Sequence, residues 1–111
     1  MRNIAAGNME VVYHEAGTRK LLRKYPKQIT EIRRAVESQL AEQLANNFSK
    51  TKIASRLLFA GCKVYECRVN LGLLPPVRVG FIVQNQRVTV VFMSNQIQKS
   101  DFSRAIDKFL S

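Results

Sequence analysis

The chain has 111 residues, 46% of them hydrophobic, which suits a single globular domain and argues against a disordered or two-domain protein. Its 18 lysines and arginines against 8 aspartates and glutamates give a formal net charge of +10. Such a surplus favours a polyanionic partner, meaning nucleic acid, an anionic membrane face or an acidic protein. No apolar run approaches the roughly 18 residues of a membrane-spanning helix. Residues 1–10 lack a signal-peptide core, so we expect a cytoplasmic protein that does not enter a membrane.

The first half of the chain predicts one strand followed by two helices. Residues 1–8 are expected to be flexible, and residues 9–14 have the β-branched and aromatic content of a strand. Residues 15–18 break this strand, and Thr18 is the expected cap of a first helix. Pro26 either ends that helix or begins the next one. A second helix is expected from residue 27 to about residue 47, because its apolar residues recur every three or four positions. They are Ile29, Ile32, Val36, Leu40, Leu44 and Phe48.

The second half predicts three strands and a final helix. Residues 49–60 are ambiguous, and we interpret them as an irregular basic connection. The strands are expected at residues 63–70, 77–84 and 87–94, with Pro75 and Pro76 in the first loop and Asn85-Gln86 as a hairpin turn. Ser100 or Asp101 would cap the last helix. The order β-α-α-β-β-β-α places the single domain, residues 1–111, in the α+β class, with an antiparallel sheet and its helices on one side.

The sequence favours neither a disulfide nor a metal or cofactor site. Cys62 and Cys67 are five residues apart in a predicted strand, which places them on opposite faces with Cα atoms about 16 Å apart. A disulfide needs Cα atoms within about 7 Å. With His14 as the only histidine, the chain also falls short of the four ligands typical of zinc. Motifs for nucleotide cofactors and common hydrolases are missing from the sequence, so we expect no cofactor.

Basic residues are the remaining candidates for function, and they form two groups. The first group lies in the two N-terminal helices and is either a solvated helix face or a footprint for RNA phosphates. It comprises Arg19, Lys20, Arg23, Lys24, Lys27, Arg33 and Arg34. In the second group, Arg68 and Arg78 would stand side by side on adjacent strands. Because like charges opposite each other destabilise a sheet, this pair suggests that an anion lies between them.

The order of these elements and residues resembles the RelE/ParE superfamily, the toxins of bacterial type II toxin–antitoxin systems. The resemblance extends from the first strand at residue 9 to residue 110. The segments that carry it are Leu58–Gly61, Tyr65–Arg68, Pro75-Pro76, Arg78–Phe81, Val88–Met93 and Ala105-Ile106. It implies the RelE-like fold, and it favours the RelE and HigB branch of the superfamily, whose members are ribosome-dependent mRNA endonucleases.

In that branch, the 2′-hydroxyl of the RNA attacks the adjacent phosphate without a metal ion, and basic side chains on the sheet assist. The resemblance places Arg68 and Arg78 at phosphate-binding positions and Lys99 as an assisting base. Glu66 is either a general base or the partner of Arg68 or Arg78 in a structural ion pair. The basic helices would dock on ribosomal RNA. A cognate acidic antitoxin would cover the site in a toxin–antitoxin hetero-oligomer.

Two other functions remain open at this point. Phe102 stands where several members have a tyrosine, and Lys99 is the only base of the loop before it. These two features favour a gyrase inhibitor of the ParE kind, without nuclease activity. The third possibility is a non-toxic RNA-binding module on the same fold, which would bind RNA in a salt-dependent manner.

Overall fold

The computed structural model describes residues 9–111, and within them the chain forms five strands and three helices. The elements are β1 (Glu10–Tyr13), α1 (Glu15–Lys24), α2 (Ile29–Ala45), β2 (Lys52–Phe59), β3 (Cys62–Leu71), β4 (Leu74–Gln84), β5 (Arg87–Ser94) and α3 (Lys99–Leu110). The predicted α+β class is confirmed, whereas the flexibility expected for residues 1–8 lies outside the described residues. Of the helices in residues 9–111, none is both long and apolar enough to cross a bilayer.

The strands form one mixed sheet in the order β1-β5-β4-β3-β2. Strand β1 runs parallel to β5, so the expectation of an antiparallel sheet is wrong for this pair. It is confirmed for the neighbouring pairs from β5 to β2. The predicted hairpin at Asn85-Gln86 is confirmed, since Gln84 pairs with Arg87 across the turn. Asn85 has a φ of 53°, a left-handed conformation that asparagine tolerates better than most residues.

The interpretation of residues 49–60 as an irregular connection is wrong, because Lys52–Phe59 is strand β2. Its pairing with β3 shifts register between Ile53 and Leu58, which marks a bulge. In the bulge the backbone N–H of Leu57 donates to the hydroxyl of Ser55, which itself donates to Asp107 of α3. A bulge interrupts the two-residue alternation of apolar and polar residues that identifies a strand. The sequence pattern therefore did not predict β2.

The helices cover both faces of the sheet, so the expectation that they share one side is wrong for α3. Helices α1 and α2 pack on the face that carries Cys67, Val79 and Val90, which we call the α1/α2 face. Helix α3 packs on the opposite face, the α3 face, where Phe102 and Ile106 meet a second apolar cluster. The central strands are apolar on both faces and therefore need a helix on each side.

Three local expectations are also corrected. Thr18 lies inside α1, which begins at Glu15, and its hydroxyl donates to the His14 carbonyl oxygen at 3.0 Å. Pro75 and Pro76 belong to β4 and precede Arg78, the first β4 residue paired with β5, so neither proline removes a hydrogen bond from that ladder. Helix α3 begins at Lys99, one residue before the earlier of the two expected caps.

The sheet curls around α3. Strands β1 and β2 lie at opposite edges, which would be about 19 Å apart if the sheet were flat. Yet His14, directly after β1, has its ring centroid 4.9 Å from that of Phe59 at the end of β2. The His14 ring also lies 6.0 Å from Phe109 of α3. The concave α3 face therefore encloses α3 between the two edges of the sheet.

Gly80 allows α3 to approach the sheet, and its replacement provides a test of this packing. A Cβ atom at Gly80 would lie 2.5 Å from Cδ1 of Ile106. We expect Gly80→Ala to lower the free energy of unfolding by about 1–3 kcal/mol, the usual cost of overpacking. Ile106→Val removes the clashing methyl group, at its own cost of about 0.5–1.5 kcal/mol. In the Ile106→Val background, Gly80→Ala should lower the free energy of unfolding by at least about 1 kcal/mol less than it does in the unmodified chain, as measured by urea unfolding. Strictly additive losses would contradict this account.

Candidate functional site

Charged side chains form two adjacent rows on the α3 face, near the N-terminal end of α3. In one row Arg68 of β3 stands directly opposite Arg78 of β4, which confirms the predicted neighbours. In the next row Glu66 of β3 lies between Lys52 of β2 and Gly80 of β4. Side chains at alternate positions share a face, so both rows point to the same side of the sheet.

Arg78 holds the site together. Its Nη1 donates to Oε1 of Glu66 at 2.6 Å, while Nε and Nη2 donate to the carbonyl oxygen of Ile97 at 2.9 and 2.6 Å. The Glu66 side chain is 1% exposed and that of Arg78 is 17% exposed. Of the two ion-pair partners that the sequence left open for Glu66, the structure therefore selects Arg78. The same guanidinium joins β3, β4 and the segment that leads into α3.

One oxygen of Glu66 is left without a partner. Oε2 is buried and accepts no hydrogen bond from any described residue. An unpaired buried acceptor costs about 1–3 kcal/mol, and buried polar groups in native proteins are otherwise nearly always paired. Oε2 is therefore the one place in this row where a donor from a substrate would meet an unsatisfied carboxylate oxygen.

Arg68 and Lys99, like Lys52, are exposed bases at the site. Arg68 is exposed, and no hydrogen bond or ion pair joins its side chain to another residue between 9 and 111. Lys99 is also exposed and begins α3, two residues after the Ile97 carbonyl that Arg78 binds. A guanidinium in this position can bind a phosphate through two parallel hydrogen bonds. The site can thus hold an anion at Arg68 beside the Arg78–Glu66 pair.

Asn95 is a structural part of the site that the sequence did not reveal. Its Oδ1 accepts a hydrogen bond from Nζ of Lys24 at 3.0 Å, and its Nδ2 donates to the Pro76 carbonyl oxygen at 3.2 Å. Asn95 thus connects the end of α1 with the start of β4, close to the segment that Arg78 holds at Ile97. These contacts join residues far apart in sequence, and no local pattern signals them.

The seven basic residues of the N-terminal helices are all exposed, but they do not share one surface. Arg19, Arg23 and Arg33 line a groove of about 380 Å³ between α1 and α2, together with Tyr13. Lys20 and Lys24 line another groove, of about 470 Å³, between α1 and α3. The two remaining members are Lys27, between the helices, and Arg34, on α2. Any RNA footprint on this side therefore has two separate parts.

Tyr13 organises the α1/α2 groove. Its hydroxyl donates to Oε2 of Glu37 at 2.8 Å, and the guanidinium carbon of Arg33 lies 5.1 Å from the centre of its ring. Burial raises the pKa of Tyr13 well above its ordinary value, and the Glu37 carboxylate raises it further. The phenol therefore remains neutral and keeps Arg33 over its ring.

The two cysteines lie on opposite faces, as predicted. Cys67 is buried on the α1/α2 face, and Cys62 is a half-buried free thiol beside the α3 cluster. Burial raises the pKa of the Cys67 thiol to about 12, the nearby Arg78 guanidinium lowers it, and the Glu66 carboxylate adds to the rise. Among residues 9–111, no three side chains of histidine, cysteine, aspartate or glutamate are grouped so as to hold a metal ion.

No family model matches the chain, and neither a curated protein nor a solved structure matches it. The class of protein therefore rests on the fold and on the side chains of the site. They define an α+β domain with a basic site on one face of a curled sheet.

Replacing only Arg78 of the Arg78–Glu66 pair should lower the free energy of unfolding far more than replacing both residues. We expect Arg78→Met to lower the free energy of unfolding by about 3–5 kcal/mol, because it leaves a buried carboxylate without its charge partner. The double variant Glu66→Leu, Arg78→Met should regain most of this loss, since no buried charge then remains. Urea unfolding of both variants and of Glu66→Leu alone completes the cycle. A double variant less stable than Arg78→Met would contradict the role assigned to the pair.

The raised pKa of Cys67 predicts its reactivity and part of the pH dependence of stability. Its thiol should resist alkylation at pH 8 until the protein unfolds, as peptide mapping would show. Below the ordinary thiol pKa both states keep the proton, so stability is unaffected there. Between about pH 9 and pH 12 only the unfolded thiol ionises, so stability should fall by at most about 1.4 kcal/mol per pH unit. Cys67→Val should remove this part of the fall, and Cys62→Val should retain it.

Proposed function

We propose that the chain is a toxin of a type II toxin–antitoxin system that cleaves mRNA on the ribosome. The observation that carries this proposal is an exposed, unpaired Arg68 beside a buried Glu66 whose Oε2 lacks a partner. Cleavage by an internal 2′-hydroxyl is promoted by a basic group that neutralises the phosphate and by a group that accepts the proton, a role that a carboxylate oxygen can fill. The resemblance of the chain to the RelE/ParE superfamily supports the same reaction.

In the proposed reaction, Oε2 of Glu66 accepts the proton of the 2′-hydroxyl as the 2′-oxygen forms a bond to the adjacent phosphorus. The bond from phosphorus to the 5′-oxygen breaks, and Lys99 supplies the proton that this leaving oxygen needs. The products are a 2′,3′-cyclic phosphate and a free 5′-hydroxyl. Arg68 stabilises the charge on the non-bridging oxygens, because it stays protonated and can bind two oxygens at once.

Arg78 acts as a positioning residue in this proposal. Its bond to Oε1 fixes the Glu66 carboxylate, and its two bonds to the Ile97 carbonyl hold the segment before α3. Because Glu66 is buried, RNA reaches Oε2 only when the cover over the carboxylate opens locally. The proposed reaction therefore includes a local conformational step that exposes Oε2.

The partners follow from the distribution of charge. The α1/α2 groove, with Arg19, Arg23 and Arg33, binds phosphates of ribosomal RNA, and this contact weakens as the salt concentration rises. A cognate antitoxin is acidic, because it has to neutralise a chain of net charge +10, and it forms a hetero-oligomer that keeps the site closed. The complex belongs in the cytoplasm, where ribosomes and mRNA are present.

The burial of Glu66 favours a second candidate, an RNA-binding module without nuclease activity. In that case the Arg78–Glu66 pair is structural only, and Arg68 binds phosphate without a reaction. Phe102, which favoured a gyrase inhibitor at the level of sequence, is fully buried in the α3 cluster. Packing explains why this residue has no hydroxyl group. Phe102 therefore no longer favours a gyrase inhibitor over a nuclease.

Induction of the protein in a bacterial host tests the nuclease. The 5′ ends of one reporter mRNA are mapped on a translated copy and on a copy without a start codon, and cuts should occur only on the translated copy. Arg68→Ala should reduce cleavage at least about 100-fold, as loss of a charge-stabilising group does. Glu66→Gln, which keeps the shape of the side chain, should reduce it by about 10²–10⁴-fold. Arg104→Ala, at an exposed arginine of α3, is the matched control and should cleave normally.

Each other outcome selects a different function. Growth arrest with intact mRNA and induction of the DNA-damage response would point to gyrase. Salt-dependent RNA binding with normal growth would point to the RNA-binding module. Equal cutting of both mRNA copies would retain the nuclease and remove its dependence on the ribosome.

A further inference from the structure

Strand β2 forms an edge of the sheet that is both apolar and exposed. On one side it pairs with β3, and no strand within residues 9–111 pairs with its other side. Ile53 is 43% exposed, Leu57 41% and Leu58 57%. An edge strand presents unpaired backbone N–H and C=O groups, and natural proteins rarely leave such an edge with several exposed aliphatic side chains. These features indicate a surface on which another strand docks.

The bulge gives this edge a defined apolar stripe. Ile53 pairs with Tyr65 and Leu58 with Lys63, and these two β3 residues share one face of the sheet. Ile53 and Leu58 therefore point to the same side, although an odd number of positions separates them. The stripe lies on the α1/α2 face, because Tyr65 packs against the core of that face.

The charged side chains of β2 and its flanking residues are all basic. Four exposed bases lie on or beside β2, and the sequence contains no acidic residue between Glu42 and Glu66. The bases are Lys50, Lys52, Arg56 and Lys63. A partner that fits this edge must combine apolar side chains with carboxylates.

We propose that β2 is a docking site for an extended, acidic segment of a partner protein, which adds to the sheet as a sixth strand. Backbone hydrogen bonds along the free side of β2 supply the pairing, as in other cases of strand addition. Apolar side chains of the segment cover Ile53 and Leu58, and the exposed bases on and beside β2 attract its carboxylates. The bulge interrupts the regular ladder between Ile53 and Leu58 and thereby restricts the register.

Two other occupants fit less well. A second copy of the chain would bring its own net charge of +10, and pairing β2 with β2 would bring lysines and arginines together. RNA would satisfy the bases, but single-stranded RNA is held by stacking on aromatic rings. The exposed apolar residues of this edge are isoleucine and leucine.

This inference is independent of the proposed nuclease, because the apolar stripe of β2 and the Arg68 site lie on different faces of the sheet. Ile53 and Leu58 lie on the α1/α2 face, whereas Arg68 lies on the α3 face. Binding at β2 can therefore be measured on a protein that cleaves nothing, and failure of one proposal leaves the other intact.

The test uses a fluorescent eight-residue peptide that alternates valine with glutamate, titrated with the full chain and followed by anisotropy. The peptide should bind, and a version with lysine in place of glutamate should not. Leu58→Glu should weaken binding at least tenfold, and Arg56→Glu should weaken it similarly. Leu73→Glu and Arg104→Glu are the matched controls and should bind normally, since Leu73 is an exposed leucine in the β3–β4 turn, at the end of β3 away from β2.

Two further measurements separate strand pairing from charge attraction. A peptide with proline at its two central valine positions cannot donate the backbone hydrogen bonds and should bind at least tenfold more weakly. Leu58→Thr, which keeps a strand-forming residue, replaces Leu58→Glu if circular dichroism shows that the latter is unfolded. Equal binding of the proline peptide, no binding of the acidic peptide at millimolar concentration, or a dimer of the free chain that Leu58→Thr dissociates would each overturn the proposal.

Discussion

The rest of the site depends on the hydrogen bonds and the ion pair of the Arg78 guanidinium. This group bonds to Glu66 on the neighbouring strand and to the Ile97 carbonyl in the segment before α3. A buried carboxylate is tolerated only when a charge partner and hydrogen bonds offset the loss of water. Arg78 provides both for Oε1, so Glu66 can remain inside the protein. The same bonds determine where the segment before α3 lies on the sheet.

The position of the site follows from the packing of α3. Phe102 and Ile106 bury the sheet around Gly80, where the absence of a side chain lets the helix approach. The next row along β4, towards Arg78, lies beyond the N-terminus of α3. Polar side chains are tolerated there because water and residues 95–98 take the place of the helix. Arg68 and Arg78 occupy this row. The charged site is thus located where the apolar cover of the α3 face stops.

Part of this arrangement was predictable from the sequence. The alternation in residues 63–70 and 77–84 correctly placed Arg68 beside Arg78 and on the same face as Glu66, since neither strand has a bulge there to change the face. Strand β2 was missed because its bulge between Ile53 and Leu58 breaks the alternation. The side of the sheet on which α3 packs was also missed. An amphipathic pattern shows that a helix has an apolar face, and it does not show which face of a two-sided sheet receives it.

The contacts of the site were less predictable than its residues. The sequence left Arg68 and Arg78 as equal partners for Glu66, and the choice depends on a diagonal contact across two strands that no linear pattern encodes. Arg78 binds Ile97 through its backbone carbonyl, a group that every residue possesses. The residue type at position 97 therefore could not predict this contact. The contacts of Asn95 with Lys24 and Pro76 depend on the relative positions of α1, β4 and the segment before α3. These positions are set by tertiary packing.

The distribution of acids explains why so much positive charge remains available. Glu66 is used to neutralise Arg78, Glu37 accepts from Tyr13, and Asp107 accepts from Ser55. Only the Arg78–Glu66 and Arg87–Glu10 pairs join opposite charges within residues 9–111. Most of the 18 bases therefore face water without a carboxylate, which costs stability through mutual repulsion. A surface with this surplus attracts polyanions from a distance, so the charge contributes to long-range electrostatics rather than to the stability of the fold.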